Sequence, residues 1–358
     1  MKSAIKKRVN LLLVLAIGFG MTNGCSVSLL SPGTGSSTGT GSDPSVTVTN
    51  STAPATVKCS DIKEDTILRE RPDAPIDYEI NCNLNVVKGT LTIEPGVNIM
   101  FDSGGGLRTE EQGAIKAVGT ADKVIKMFGK TPAKGAWRGI FFGSNNVDNR
   151  MDFVEVAHAG SEKDFWMSEK AAVGITQLEA SRLSITNTKI SESDGFGLFV
   201  TDGRNLAEFS NNTFSNNAKA GVRIPFNHMG KMDSASKYGL DNRPNNFIYV
   251  GLGAQNAFIT SPQTWHVTDV PYRLFRDSVY AGEIQSDVTI LPGVTVEMGV
   301  NGKISVVNEG SLNATGTEEK KITFRGSQPG KGTWLAIAFE SMNPNNKLIN
   351  TIIDGGGS

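Results

Sequence analysis

The chain has 358 residues, a formal net charge of −1 and 38% hydrophobic residues. That balance argues against nucleic acid as a partner, and three widely spaced histidines (His158, His228, His266) argue against a His-rich metal site. Forty glycines punctuate short segments, and no long amphipathic helical pattern is apparent.

The first element is an address. Lys2, Lys6, Lys7 and Arg8 precede an apolar run, Leu11 to Gly20, too short to span a bilayer as a helix. Residues 1–24 therefore read as a secretory signal peptide. Its end, Thr22-Asn23-Gly24-Cys25, resembles a bacterial lipobox, in which the cysteine becomes the lipidated first residue. Thr22 departs from the usual aliphatic residue. Ser26 rather than Asp follows Cys25, so the resemblance to bacterial lipoproteins implies the outer membrane, on its periplasmic or cell-surface face. Acyl chains would then be the link to the membrane. Residues 25–55 hold the lipidated cysteine and a linker, Ser31 to Ala55, built almost wholly of Gly, Ser, Thr and Pro. Such a stretch lacks the apolar surface that would offset the entropy of ordering. Cys59 and Cys82 are left to pair in an oxidising compartment, or to stay as two free thiols. A bridge would be worth about 3 kcal/mol in the chain-entropy account.

The folded part repeats itself. The segment from Thr90 to Ser161 returns without a gap from Asp287 to Ser358, and about a third of the aligned positions are identical. Pro95 aligns with Pro292 and Trp137 with Trp334, a shift of 197 in each case (292 − 95 and 334 − 137). Short alternating segments (LTIEPGVNIMF, GAIKAVG, WRGIFF and their counterparts VTILPGVTVEM, GSLNATG, WLAIAF) predict strands with one buried face. Gly and Pro break them at corners. A shorter repeat lies inside: at a shift of 24, Ile185 aligns with Phe209, Asn187 with Asn211, Ile190 with Phe214 and Gly197 with Gly221. This predicts stacked coils with apolar rows inside and an amide ladder at a turn. Residues 56–257 form a first unit and 258–358 a second, partial one, expected to be continuous with it.

The matched tryptophans are expected to pack at a coil corner rather than to stack on sugars. Arg223, Pro225 and His228 sit at a strand end, and stacking could bring Asp194 and Asp202 near Arg223. No carboxylate cluster appears at a matching offset, so these are read as polar corners. The stretches Ser161–Ala172 and Pro225–Phe247 interrupt the coil rhythm, as loops on a rigid scaffold do where function sits. In the first, Phe165, Trp166 and Met167 would be an exposed apolar trio if the loop projects; Phe165 and Trp166 then either contact a ligand or fold back over the flank.

The runs TWHVTDVPYRLF, VTILPGV, GSLNATGT, KKITFRG and GKGTWLAIAF, with the first copy in the same order, resemble the right-handed parallel β-helix proteins of the bacterial envelope, within the pectate-lyase-like superfold. The expected class is therefore all-β, a right-handed parallel β-helix (solenoid) after a signal peptide and flexible linker. Fold membership does not confer the activity of the polysaccharide-degrading relatives. The expected function is surface-anchored binding or adhesion to a polysaccharide or surface protein, with no catalytic residues, metal or cofactor assigned. The alternatives are a cell-surface polysaccharide lyase, for which calcium would be expected, or a glycoside hydrolase, and a structural envelope protein. The second copy stops at Ser358, the equivalent of Ser161 where the first continues: either the chain is a fragment, or the helix ends there with an uncapped edge, in which case self-association through the C-terminal β-helix edge is expected.

Overall fold

Among the described residues the first strand is Ala55–Thr56, which starts at the last residue of the Gly/Ser/Thr-rich stretch and pairs in parallel with Tyr78–Ile80. The computed structural model describes residues 52–165, 167–176, 180–242, 244–252, 257–275 and 282–357. Among them every strand pairing is parallel, and the strands fall into five sheets. An eleven-stranded sheet, here the long sheet, runs from Asn83–Val86 to Thr351–Asp354 and takes one strand from each turn of a β-solenoid. Eight- and six-stranded sheets flank its first part, and two four-stranded sheets flank its second. Both units thus share the long sheet. Near its start Cys59 and Cys82 are disulfide-bonded, with Cα atoms 6.0 Å apart.

The alternation in sequence sets which side chains enter the core. In Thr90–Ile93 and Asn98–Phe101, Leu91, Ile93, Ile99 and Phe101 are buried while their neighbours are half-exposed. Identical positions then stack coil on coil: Ile185 lies beside Phe209 and Ile190 beside Phe214, as the shift of 24 predicts. Each fully buried side chain of this kind is worth about 1.5–3 kcal/mol. At the turns, Asn211 Nδ2 donates to Asn187 Oδ1 (2.7 Å), and Asn187 Nδ2 donates to Asp152 Oδ1 (2.8 Å). Asn187 and Asn211 take φ of 49° and 54°, a left-handed conformation that Asn tolerates better than most residues.

The repeat is reproduced at the level of single bonds. Pro95-Gly96 and Pro292-Gly293 make the same turn, with Gly φ of 88° and 92°. Only a residue free of a Cβ penalty suits that third position of the turn. Asn149 Oδ1 accepts from Ile115 N (3.1 Å) and its counterpart Asn346 Oδ1 from Leu312 N (3.0 Å). Trp137 and Trp334 are both buried, and each donates its indole N–H over 2.8 Å to a backbone carbonyl, of Ala157 and Asp354.

One feature of the repeat is not legible in the alignment. Asn98–Phe101, Ile125–Gly129 and Val154–Ala157 lie in the eight-stranded sheet. Their counterparts Thr295–Met298, Ile322–Gly326 and Thr351–Asp354 lie in the long sheet. The second copy is therefore turned by one face about the solenoid axis relative to the first.

The Pro225–Phe247 stretch does not project from the scaffold. Phe226–Lys231 forms a 3-10 turn, Lys237–Leu240 joins the eight-stranded sheet, and Phe226, Met229, Met232 and Tyr238 are core residues. Its length is about that of one coil, so it winds into the solenoid. Across the last strands, Leu348, Ile349, Ile352 and Ile353 are partly exposed.

Candidate functional site

Successive strands of the long sheet place one outward residue in register per coil. The row reads Asn85, Arg108, Phe141, Gly174, Phe199, Arg223, Tyr249, Arg273, Glu297, Arg325 and Asp354. Side chains alternate across a strand, so Leu198 and Val200 point into the main core while Phe199 between them points out. With strands about 4.8 Å apart, the eight steps from Arg108 to Arg325 cover about 38 Å along the solenoid axis.

Aromatic rings and guanidinium groups alternate along the middle of this row. Arg223 lies 4.2 Å from the Phe199 ring centre and 5.4 Å from that of Tyr249. Tyr249 stacks on Phe275 at 4.0 Å with 5° between the planes, and Arg273 sits 4.0 Å over Phe247. Gly251 is the neighbour of Phe275 across the strand pair. These rings belong to a second apolar cluster, outside the main core, with Phe141, Met167, Ala171, Phe196 and Phe199 at its centre. Beyond them Glu297, 5% exposed, accepts from Arg273 (2.6 Å) and Arg325 (2.7 Å).

A cleft of about 660 Å³ opens over the cluster. Its apolar wall is Phe196, Phe247, Tyr249 and Phe275, and Arg223 lies among them. Lys219 and Glu169, paired at 2.7 Å and each more than 40% exposed, stand at one side, and Asp202 also lines it. Flat apolar rings beside planar cations suit a ligand with both apolar faces and negative charge.

The Ser161–Ala172 stretch crosses this sheet face as a strap. Asp164, almost wholly buried, pairs with Arg108, which also pairs with Glu110 at 2.7 Å. Glu162 pairs with Arg138 at 3.4 Å, and Lys170 with Asp194 at 2.8 Å. Met167 is not part of an exposed trio: at 2% exposure it fills the gap in the row at Gly174, where an added Cβ would lie 2.6 Å from its sulfur. Phe165 does project, at 84% exposure, while Trp166 and Cys25 lie outside the described residues. On the N-terminal side of the strap a second cleft, of about 620 Å³, is lined by Arg108, Arg138, Phe141, Lys163 and Phe165 together with the carboxylates of Glu162 and Asp164.

Stacking thus separates the two aspartates considered beside Arg223: Asp202 shares its cleft, and Asp194 is drawn to the strap. Among the described residues no group of three or more His, Cys, Asp or Glu side chains is placed to hold a metal ion. His228 is a buried residue of the 3-10 turn; its Nε2 accepts from Leu206 N (3.4 Å) and its Nδ1 faces Asn227 Oδ1 (2.8 Å). Burial, with Lys231 nearby, lowers its pKa from 6.5 to about 4. The unfolded chain therefore takes up a proton first as pH falls, and stability drains away between pH 6.5 and 4. The loss should approach about 3 kcal/mol at the lower end. Urea midpoints read against pH test this. His228→Gln, which retains an acceptor for Leu206, should flatten the slope between pH 6.5 and 5; an unchanged slope would assign it to other groups.

Phe199, Tyr249, Arg273, Glu297 and Phe275 escape a reading by motif. One signal could have found the first: the shift of 24 that aligns Gly197 with Gly221 also puts Phe199 beside Arg223. A second lies between the copies. The outward pair Met100 and Phe128 of the first copy becomes Glu297 and Arg325 in the second, whereas the inward Ile99 and Met127 remain apolar as Val296 and Phe324. At this pair the inward residues stay apolar and the outward ones become charged on turning onto the long sheet.

The family model for the right-handed beta helix region matches residues 138–261, which include Phe196, Phe199, Arg223 and Tyr249. No curated protein and no solved structure matches the chain. Parallel solenoid and family match together make this a right-handed parallel β-helix protein.

Proposed function

We propose that this β-helix is a surface-anchored binding protein whose ligand is an extended, negatively charged glycan lying along the outer face of the long sheet. The observation that carries the reading is the outward row in which Phe199, Arg223, Tyr249 and Arg273 alternate, one per coil. A straight track of evenly spaced rings and cations suits a linear polymer with a repeating acidic unit better than a folded protein epitope. Sugars offer apolar faces to Tyr249 and Phe275, and carboxylate or sulfate groups offer a planar acceptor to the Arg223 guanidinium.

A glycan array with neutral, uronate and sulfated polymers tests this, run beside assays for new reducing ends and unsaturated products with calcium or a chelator. Acidic polymers should be retained uncleaved; equal retention of neutral polymers would overturn the reading. One observation favours a second reading, cleavage: Asp202 and Arg223 line the same cleft. Calcium-dependent unsaturated product, lost in Asp202→Asn, would establish a lyase instead.

In this proposal the anchor is acylated Cys25, and the stretch to Ala55 is the tether that holds the solenoid off the outer membrane. Cys25→Ser should move the full-length protein from the membrane fraction to the soluble fraction, and from the detergent to the aqueous phase on detergent partition. Continued membrane association of the variant would rule out a lipid on Cys25 as the anchor.

A further inference from the structure

The second cleft is a companion to the first. Both lie on the same outward row: Arg108 and Phe141 stand on one side of the strap, Phe199 and Arg223 on the other. Arg108 and Arg223 are four coils apart, roughly 19 Å along the axis. Each cleft combines aromatic rings with cations and two carboxylates (Glu162 and Asp164 in the second, Glu169 and Asp202 in the first), and their volumes are alike, at about 620 and 660 Å³. In the second, the Arg138 Nε–H is buried with no acceptor, although its terminal nitrogen pairs with Glu162. The Arg138 side chain is nonetheless 37% exposed, so its terminal nitrogens beside Glu162 are open to an anion. Lys163 adds a cation to the wall, and Phe165 stands exposed where the strap separates the clefts.

We infer that the two clefts are subsites for a single ligand chain, and that the protein selects linear polyanions long enough to fill both while crossing the strap beside Phe165. This rests on the glycan reading above and adds a length requirement. Occupying the first cleft makes entry to the second intramolecular, so affinity should rise with chain length well beyond the number of sugar units added.

The test is isothermal titration of the full chain with oligogalacturonates and heparin-derived oligosaccharides, from disaccharides to dodecamers. Dodecamers of the acidic series that binds should bind at least tenfold more tightly than tetramers. Arg138→Ala combined with Phe165→Ala should collapse that ratio towards one and leave tetramer binding within twofold of wild type. Phe165→Ala alone, at an exposed position, should reduce the ratio with no effect on folding, which circular dichroism checks. Equal affinity for both lengths, or an unchanged ratio in the double variant, would overturn the two-subsite inference while the glycan reading stands. Absence of binding at any length would overturn both.

Discussion

Arg223→Ala should lower affinity for an acidic glycan by roughly 10- to 100-fold, the largest loss from any single change in the main cleft. Its guanidinium sits over the Phe199 ring and within reach of Tyr249, so the plane is held before a ligand arrives. Little side-chain entropy is then left to lose on binding. A hydrogen bond to a charged group contributes about 1.5–3 kcal/mol, and each 1.4 kcal/mol is a factor of ten in affinity. Arg223→Lys keeps the charge but not the planar fork or its stacking, so it should fall between the two. Tyr249→Ala removes the stacking platform and should weaken acidic and neutral chains alike. Arg223→Ala should therefore change the preference for acidic chains, and Tyr249→Ala the overall strength. Arg223 points out of the solenoid, so the urea midpoint should move little. Wild-type affinity in Arg223→Ala would remove this residue from the binding surface.

The scaffold was readable because its physics is local. A strand needs period-two alternation, a corner needs a Pro-Gly turn, and a buried Trp needs one carbonyl; all three recur at fixed offsets. The outward row follows no such offset. Its members from Arg108 to Arg325 are separated by between 24 and 33 residues, because the connections between strands differ in length from coil to coil. Only the stacking of coils brings them into line. The one-face turn of the second copy hides the row further, since residues aligned at a shift of 197 do not lie on the same face. Met167 illustrates the same limit. In sequence it belongs with Phe165, yet it enters the outer cluster because Gly174, in the next strand, leaves room for it.

Trp137→Ala should have the largest effect on stability, about 3–5 kcal/mol. The indole is fully buried, lies 4.0 Å from the Phe101 ring at 10° to its plane, and bonds to the Ala157 carbonyl. Alanine leaves a cavity, removes the ring stack and strands that carbonyl. Trp137→Phe isolates the last term: the stack persists, and a loss of about 1 kcal/mol is expected for the hydrogen bond. The repeat supplies an internal control. Trp334 makes the same bond to Asp354, but Met298 stands where Phe101 would be, so Trp334→Ala forfeits no ring stack. It should cost less, by about 0.5–1.5 kcal/mol on that count. Coils of a solenoid hold mainly to their neighbours, so damage at Trp137 weakens the coupling between the coils before it and those after it. The strap begins at Gly160 and Ser161, whose amides bond to Arg138 and Trp137 carbonyls (3.2 and 3.0 Å). Trp137→Ala should therefore loosen the strap as well, exposing the amides of Gly160 and Ser161 to hydrogen exchange, whereas Trp334→Ala should leave them protected. A cost below about 1 kcal/mol with strap protection unchanged would show the corner to be self-supporting, and the matched tryptophans to be passengers of the duplication.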